Sequence, residues 1–370
     1  MKMFRVSVTG AIGLLSTIAA TGSTPRTISA PLRVQRIGQM TTERAAHQAT
    51  LLTNGQVLIT GGCPGQNCHP FLRSVEIFDP TRRAFRLAAL MTIPRASHTA
   101  TLLQDGRVLV AGGCSTNGAT ASAEVYDVAT DRWSKVGDMT LPRCSHIAVP
   151  LADGRVFIMG GGEGRLGNLA SAEVFDPQTS KFLPVGSMRN NHYLATRLAD
   201  GRVLLTGGQG NRGEMIRLAD IFDPASGKFQ PTGDMVVPRV KHAAALLSDG
   251  RVLIIGGTAG GDSGQFSSTE IYDPRTGRFS PGPSMRSGRY KIRDAVTALG
   301  SGAVLVAGGA TTPELYDPVG RVFVPVSGDL SGPQMFATAT LLRTRDVLVL
   351  GGYDQRIRSS ASAWIVSGTR

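Results

Sequence analysis

In four equivalent registers of the 370-residue chain an arginine stands three positions before a histidine: Arg44 and His47, Arg95 and His98, Arg143 and His146, Arg239 and His242. In three further registers the pair is altered, to Asn190 with Tyr193, to Arg289 with Ile292 and to Gln334 with Ala337. A planar guanidinium makes bidentate contacts with carboxylate or phosphate, and a neutral imidazole is a ready metal ligand. Gathered at one opening, these groups would form an arginine-lined ligand site, with Asn190 and Tyr193 giving it asymmetry. Their repetition supports a second reading, a hydrogen-bond device that every unit needs.

A second series is carboxylate: Glu76, Glu124, Glu173, Asp220, Glu270 and Glu314. Two of them could serve as general acid and base. Equivalence in six units favours a structural role instead, bonding the neighbouring chain or a repeat arginine. Four cysteines, Cys63, Cys68, Cys114 and Cys144, contain no C-x-x-C pair, so their spacing matches no zinc pattern. Two disulfides are compatible with them: Cys63 and Cys68 share one Gly/Pro-rich loop and close a small ring, leaving Cys114 for Cys144. Free thiols or a metal site are the competing readings.

The elements that must position these groups are set by a repeat. A β-branched or leucine-rich tetrad ending in Gly-Gly recurs at Gly61, Gly112, Gly160, Gly207, Gly256, Gly308 and Gly351, with spacings of 51, 48, 47, 49, 52 and 43 residues. Such a period, with strand-like pattern in every unit, predicts an all-β propeller of seven four-stranded blades. Asn54-Gly55, Asp105-Gly106, Asp153-Gly154, Asp200-Gly201 and Asp249-Gly250 predict type I′ hairpin turns between the first two strands, a and b. An aromatic-Asp pair such as Phe78-Asp79 or Tyr126-Asp127 ends strand c, and an outer aromatic such as Phe85 or Trp133 marks strand d. The seventh unit lacks strand d, and the segment near Arg33 to Ile37 is expected to supply it and close the ring. In this meander the a-b and c-d turns share one face. The long b-c loops and the d-a connections, with the Arg-x-x-His pairs, share the other, where binding is expected.

Together, Gly-Gly, the aromatic-Asp pair, the outer aromatic and units such as MTIPRASHTATLLQDGRVLVAGG (91–113) resemble the kelch repeat, more narrowly the bacterial and galactose-oxidase-like kelch propellers. The resemblance runs from Leu32 to the C-terminus. It implies that the d-a connections reach the mouth of the central channel. It also implies an alternative function, a carbohydrate-active or copper-radical oxidase-like enzyme. The oxidases take copper ligands from the entry to strand a, including a Tyr-His pair. Here the residues preceding the histidines are Ala46, Ser97, Ser145 and Lys241, so none is tyrosine. No cofactor is therefore expected, and a binding or interaction module is the preferred reading.

Composition agrees with a turn-rich β chain: glycine is 46 of 370 residues and charged residues are only 18%. The formal charge is +12, yet the arginines are scattered singly, without the basic stripe and interleaved aromatics of nucleic-acid binders. A weak preference for anionic partners follows, such as acidic glycans or acidic protein segments. Lys2 and Arg5 before an apolar stretch from Val6 to Ala20, then Ala20-Thr21-Gly22, read as a secretory signal at 1–22. Residues 23–30 follow as a short linker and 31–370 as the propeller. The expected product is a monomer, secreted or periplasmic, without a membrane span after cleavage and with a protein or carbohydrate ligand.

Overall fold

The computed structural model describes residues 31–65, 68–162, 168–210 and 212–368. The expected signal at 1–22 and linker at 23–30 lie outside the described residues. Seven four-stranded antiparallel sheets form seven blades, and six of them are simple meanders. Blade 1 comprises Gln48–Leu51, Val57–Thr60, Val75–Asp79 and Ala84–Ala88. Blades 2 and 3 span 99–135 and 147–187, and blades 5 and 6 span 243–281 and 296–325. Blade 4 comprises Leu194–Arg197, Val203–Thr206, Ala219–Asp223 and Lys228–Pro231. Among the described residues no helix is long and apolar enough to cross a membrane.

Blade 7 is composite. Its strands Thr338–Leu341, Val347–Leu350 and Ser362–Gly368 are joined at the outer edge by Leu32–Gln39, with Leu32 opposite Gly368 and Val34 opposite Val366. The first strand among the described residues thus completes the last blade, which ties the ring shut and leaves no open sheet edge between first and last blades.

Position in the blade explains each strand's sequence. Strand b is buried along its whole length in every blade, so Val108–Ala111 and Val252–Ile255 read as unbroken apolar runs. Strand a lines the channel and alternates, as Thr99–Leu102 does. Strand d faces solvent except for its aromatic, which packs on the aromatic of strand c: Phe78 on Phe85 at 4.9 Å, Tyr272 on Phe279 at 4.7 Å.

The a-b turns differ from the type I′ expectation. Gly55 has φ +86° but Asn54 is not left-handed, and Leu52 both accepts from Gly55 N–H and donates to Gln56 O. That is a three-residue loop, a type I turn followed by one left-handed glycine. The Asn54 side chain stays in ordinary backbone space and accepts the Gln56 N–H at 3.0 Å. Aspartate plays the same part at Asp105 and Asp153.

Candidate functional site

Each repeat arginine reaches from the connection entering strand a to strand c of its own blade. Arg44 donates to the carbonyl of Gly61 at 2.8 Å and to Glu76 at 2.7 Å. The same two bonds run from Arg95 to Gly112 and Glu124, and from Arg143 to Gly160 and Glu173. They recur from Arg239 to Gly256 and Glu270, and from Arg289 to Gly308 and Glu314. The second carboxylate oxygen accepts the backbone N–H one residue after the repeat methionine, as Thr41, Thr92 and Thr140 show. Every carboxylate of this kind therefore holds both a repeat arginine and the incoming chain.

All five arginines are at most 1% exposed. Burial lowers the proton affinity of Arg44, Arg95, Arg239 and Arg289, and the adjoining glutamate opposes that loss. Arg44, Arg95, Arg143, Arg239 and Arg289 are consequently withdrawn from the ligand site expected of them. Their guanidinium groups already meet carboxylate and carbonyl oxygens inside the blade, where no ligand reaches.

The histidines of the repeat are withdrawn in the same way. His47, His98, His146 and His242 are buried, and each shares a hydrogen bond through Nε2 with a threonine of the preceding blade: Thr338, Thr60, Thr99 and Thr206, at 2.8–3.1 Å. Their Nδ1 atoms find no partner among the described residues. Burial, with the neighbouring arginine charge, pushes His47 and His146 down to about 3 and His98 and His242 well below the usual range. All four are neutral joints between blades. Their rings also explain the Gly-Gly signature. A Cβ on Gly61 would stand 2.3 Å from the carbonyl of Arg95 and 2.8 Å from the ring of His98, and one on Gly62 2.7 Å from the carbonyl of Ala45.

Blade 4 is built differently. The Asn191–Gln209 bridge corresponds to the Val240–Thr258 bridge of blade 5, so Asn190 occupies the arginine register. Asn190 bonds neither Gly207 nor Asp220. His192 takes over instead: its Nδ1 meets Gly207 O at 3.1 Å and its Nε2 meets Asp220 at 2.8 Å, while Arg189 binds the other oxygen of Asp220 at 2.5 Å. Sequence reasoning passed over His192. The signals were a shortened connection after Met188 and aspartate in place of glutamate at 220.

That exchange interrupts a second feature, a belt of backbone hydrogen bonds around the channel mouth. The residue before each repeat histidine is left-handed: Ala46, Ser97, Ser145 and Lys241, with Lys291 and Phe336 in the equivalent places. Ser145 N–H donates to Ser97 O, Ser97 to Ala46, Ala46 to Phe336, Phe336 to Lys291 and Lys291 to Lys241, at 2.8–3.2 Å. The seventh position belongs to His192, which is not left-handed and donates to Asn190 O. The belt therefore stops at Ser145 on one side and Lys241 on the other.

The mouth carries charge. Arg293, in the turn Arg293–Ala295 of blade 6, reaches across the channel to Ser145 O and His146 O, and Gln48 of blade 1 donates to Asp294. Lys241 and Lys291 share Asp262 at 2.5 and 2.9 Å, and Lys291 donates to Tyr353 OH at 2.7 Å with its ammonium 5.0 Å from the Tyr290 ring. A cavity of about 400 Å³ opens where the belt is interrupted, lined by Ser145, Asn191, His192, Tyr193, Gln209 and Lys241 among others. Tyr193 lines this cavity, whereas Asn190 stands outside the lining. The cysteines pair as Cys63–Cys68 and Cys114–Cys144, and Cys144 lines the cavity.

The family described as the kelch motif matches residues 95–140, 143–189 and 239–286, covering blades 2, 3 and 5 with the connections that lead into them. Among curated protein sequences none matches this chain. In fold it is similar to a fungal alcohol oxidase of the AA5 family solved in complex with copper, with TM-score 0.74 and 17% identity over 92% of this chain and 76% of that one. The described histidines do not fit a copper centre. Among the described residues no three histidine, cysteine, aspartate or glutamate side chains converge, and each repeat imidazole is already engaged with a threonine.

Proposed function

This chain is a kelch-repeat β-propeller, and from that premise we propose that it is an exported, monomeric binding module that recognises its partner on the face of long loops at the channel mouth. The observation that carries the reading is the cavity of about 400 Å³ on that face, placed where the seven-fold pattern is interrupted. A concave site with a few convergent polar groups is the ordinary form of a ligand pocket. Kelch propellers in general mediate interactions, and the opposite face offers tight turns.

The partner is a protein or carbohydrate ligand of acidic character. Among the described residues, Lys241, Lys291 and Arg293 at the mouth pair with Asp262 and Asp294 alone, three cations against two carboxylates, which supports a positive surface there. This preference belongs to those three residues, since the repeat arginines are buried. Arrayed acidic glycans and peptides, probed with the wild-type chain beside Gln209→Trp, test the reading. The substituted indole should fill the cavity and abolish binding without lowering the melting temperature. Undiminished binding by Gln209→Trp, with loss on substitution of the turn face, would move recognition elsewhere. Peroxide production from alcohols or sugars after copper loading would replace the binding reading with an oxidase.

A further inference from the structure

We infer that the cavity between blades 3 and 5 binds a secondary amide, the group of an N-acylated small molecule, whose carbonyl and N–H take the two places vacated by His192 in the belt. The inference rests on the reading of this face as the recognition surface and adds the chemical class of the group that enters it.

The argument begins with the belt. Six left-handed residues each contribute a carbonyl to one neighbour or an N–H to the other, and four of them contribute both. Lys241 gives its carbonyl to Lys291, but among the described residues its own N–H has no acceptor. Ser145 gives its N–H to Ser97, and among the described residues its carbonyl accepts from Arg293 alone, at 3.3 Å, which leaves its second lone pair free. One donor and one acceptor are left facing the space from which His192 has withdrawn. His192 cannot return, because its ring is held on both nitrogens by Gly207 O and Asp220.

An unsatisfied backbone N–H inside a concave site costs free energy that a ligand oxygen recovers. A secondary amide presents an acceptor and a donor pointing in opposite directions, as each belt residue does. A carboxylate would satisfy Lys241 N–H but set a second acceptor against the carbonyl of Ser145. A hydroxyl offers both roles at a single atom and spans less distance. The walls suit the remainder of such a ligand. Asn168, Asn191 and Gln209 supply amides, Tyr193 an aromatic body whose hydroxyl makes no hydrogen bond among the described residues, and Met215 and Val240 an apolar patch.

Amide-resolved NMR on the full chain tests this with N-acetylglucosamine and N-acetylalanine methylamide as probes, and glucose and acetate as controls. In the free protein the Lys241 N–H should exchange with solvent faster than the N–H groups of Lys291 and Phe336. At about ten times Kd of either acetylated probe its exchange should slow by about tenfold, with a shift in its resonance, while glucose and acetate leave it unmoved. Response to only one acetylated probe identifies the source of the amide and supports the inference. Lys241 N–H as protected in the free protein as its two belt neighbours would overturn it, because the belt would then be closed. Acetate or glucose shifting Tyr193 and Gln209 without Lys241 would overturn the amide while leaving the recognition face in place. Failure of every probe to shift any resonance would also overturn the amide. Shifts confined to the turn face would overturn both readings.

Discussion

The guanidinium of Arg293 in blade 6 lies 3.2 Å from the carbonyl oxygen of His146 in blade 3, so one side chain bridges opposite walls of the channel mouth. Its other contacts are Ser145 O and the adjacent Asp294. Bonds from a charged donor contribute more than neutral ones, and Arg293→Ala should lower stability by about 1–3 kcal/mol. Denaturant titration measures it. A change below about 0.5 kcal/mol, the usual range for surface substitutions, would mean that the bridge carries no load.

Inside the blades the expectation is larger. Arg95→Ala strands Glu124 as a buried, unpaired carboxylate and should cost about 3–5 kcal/mol. The double change Arg95→Met with Glu124→Leu should recover most of that loss, because no buried charge then remains. Arg189→Ala, at a side chain 47% exposed, should cost far less. Equal losses from Arg95→Ala and Arg189→Ala would contradict the role given to burial.

Acid should loosen the joints between blades. His47 and His146 are held neutral down to about pH 3, whereas in the unfolded chain they take a proton near the usual 6.5. Between those values the unfolded state binds more protons, so stability falls as pH falls, each histidine contributing a slope of up to about 1.4 kcal/mol per pH unit. Above about pH 7 both states are neutral and this contribution is flat. Denaturation midpoints between pH 7 and pH 4 for wild type and His146→Gln check the sign. The variant should depend less steeply on pH, and an unchanged slope would remove His146 from the account.

The two disulfides should differ in value. Cys114–Cys144 closes a separation of 30 residues across blades 2 and 3, whereas Cys63–Cys68 closes one of 5. Loop-closure entropy gives about 3.6 kcal/mol for the first and about 2 kcal/mol for the second. Paired serine variants compared by denaturant titration test the order. The Cys114–Cys144 variant should also disturb the neighbouring cavity.

The blades were legible because they repeat. Gly-Gly marks the close approach of the next blade's carbonyl and imidazole, and the aromatics of strands c and d mark their packed pair, so both recur with each blade. The closing strand was legible because Val34 and Met40 repeat a spacing otherwise found at strand d. Equivalence alone does not reveal whether an arginine turns toward the mouth or into the blade; that depends on the reach to strand c. Features that occur once were harder to read. Met188 stands three residues before Asn191, whereas Met235 stands five before Val240, and this missing pair shifts the clamp onto His192. Arg293 reaches a residue 147 positions away, a contact that no periodic pattern announces.

The pairing of Leu32 with Gly368 has a mechanical consequence. Leu32 and Gly368 lie at the same corner of blade 7, so tension applied through them would load one hydrogen bond at a time, from Leu32 and Gly368 toward Gln39 and Ser362. Unzipping geometry of this kind yields at far lower force than shear along a whole strand. The seam that closes the ring is thus also a line along which a pull on its ends would unzip it.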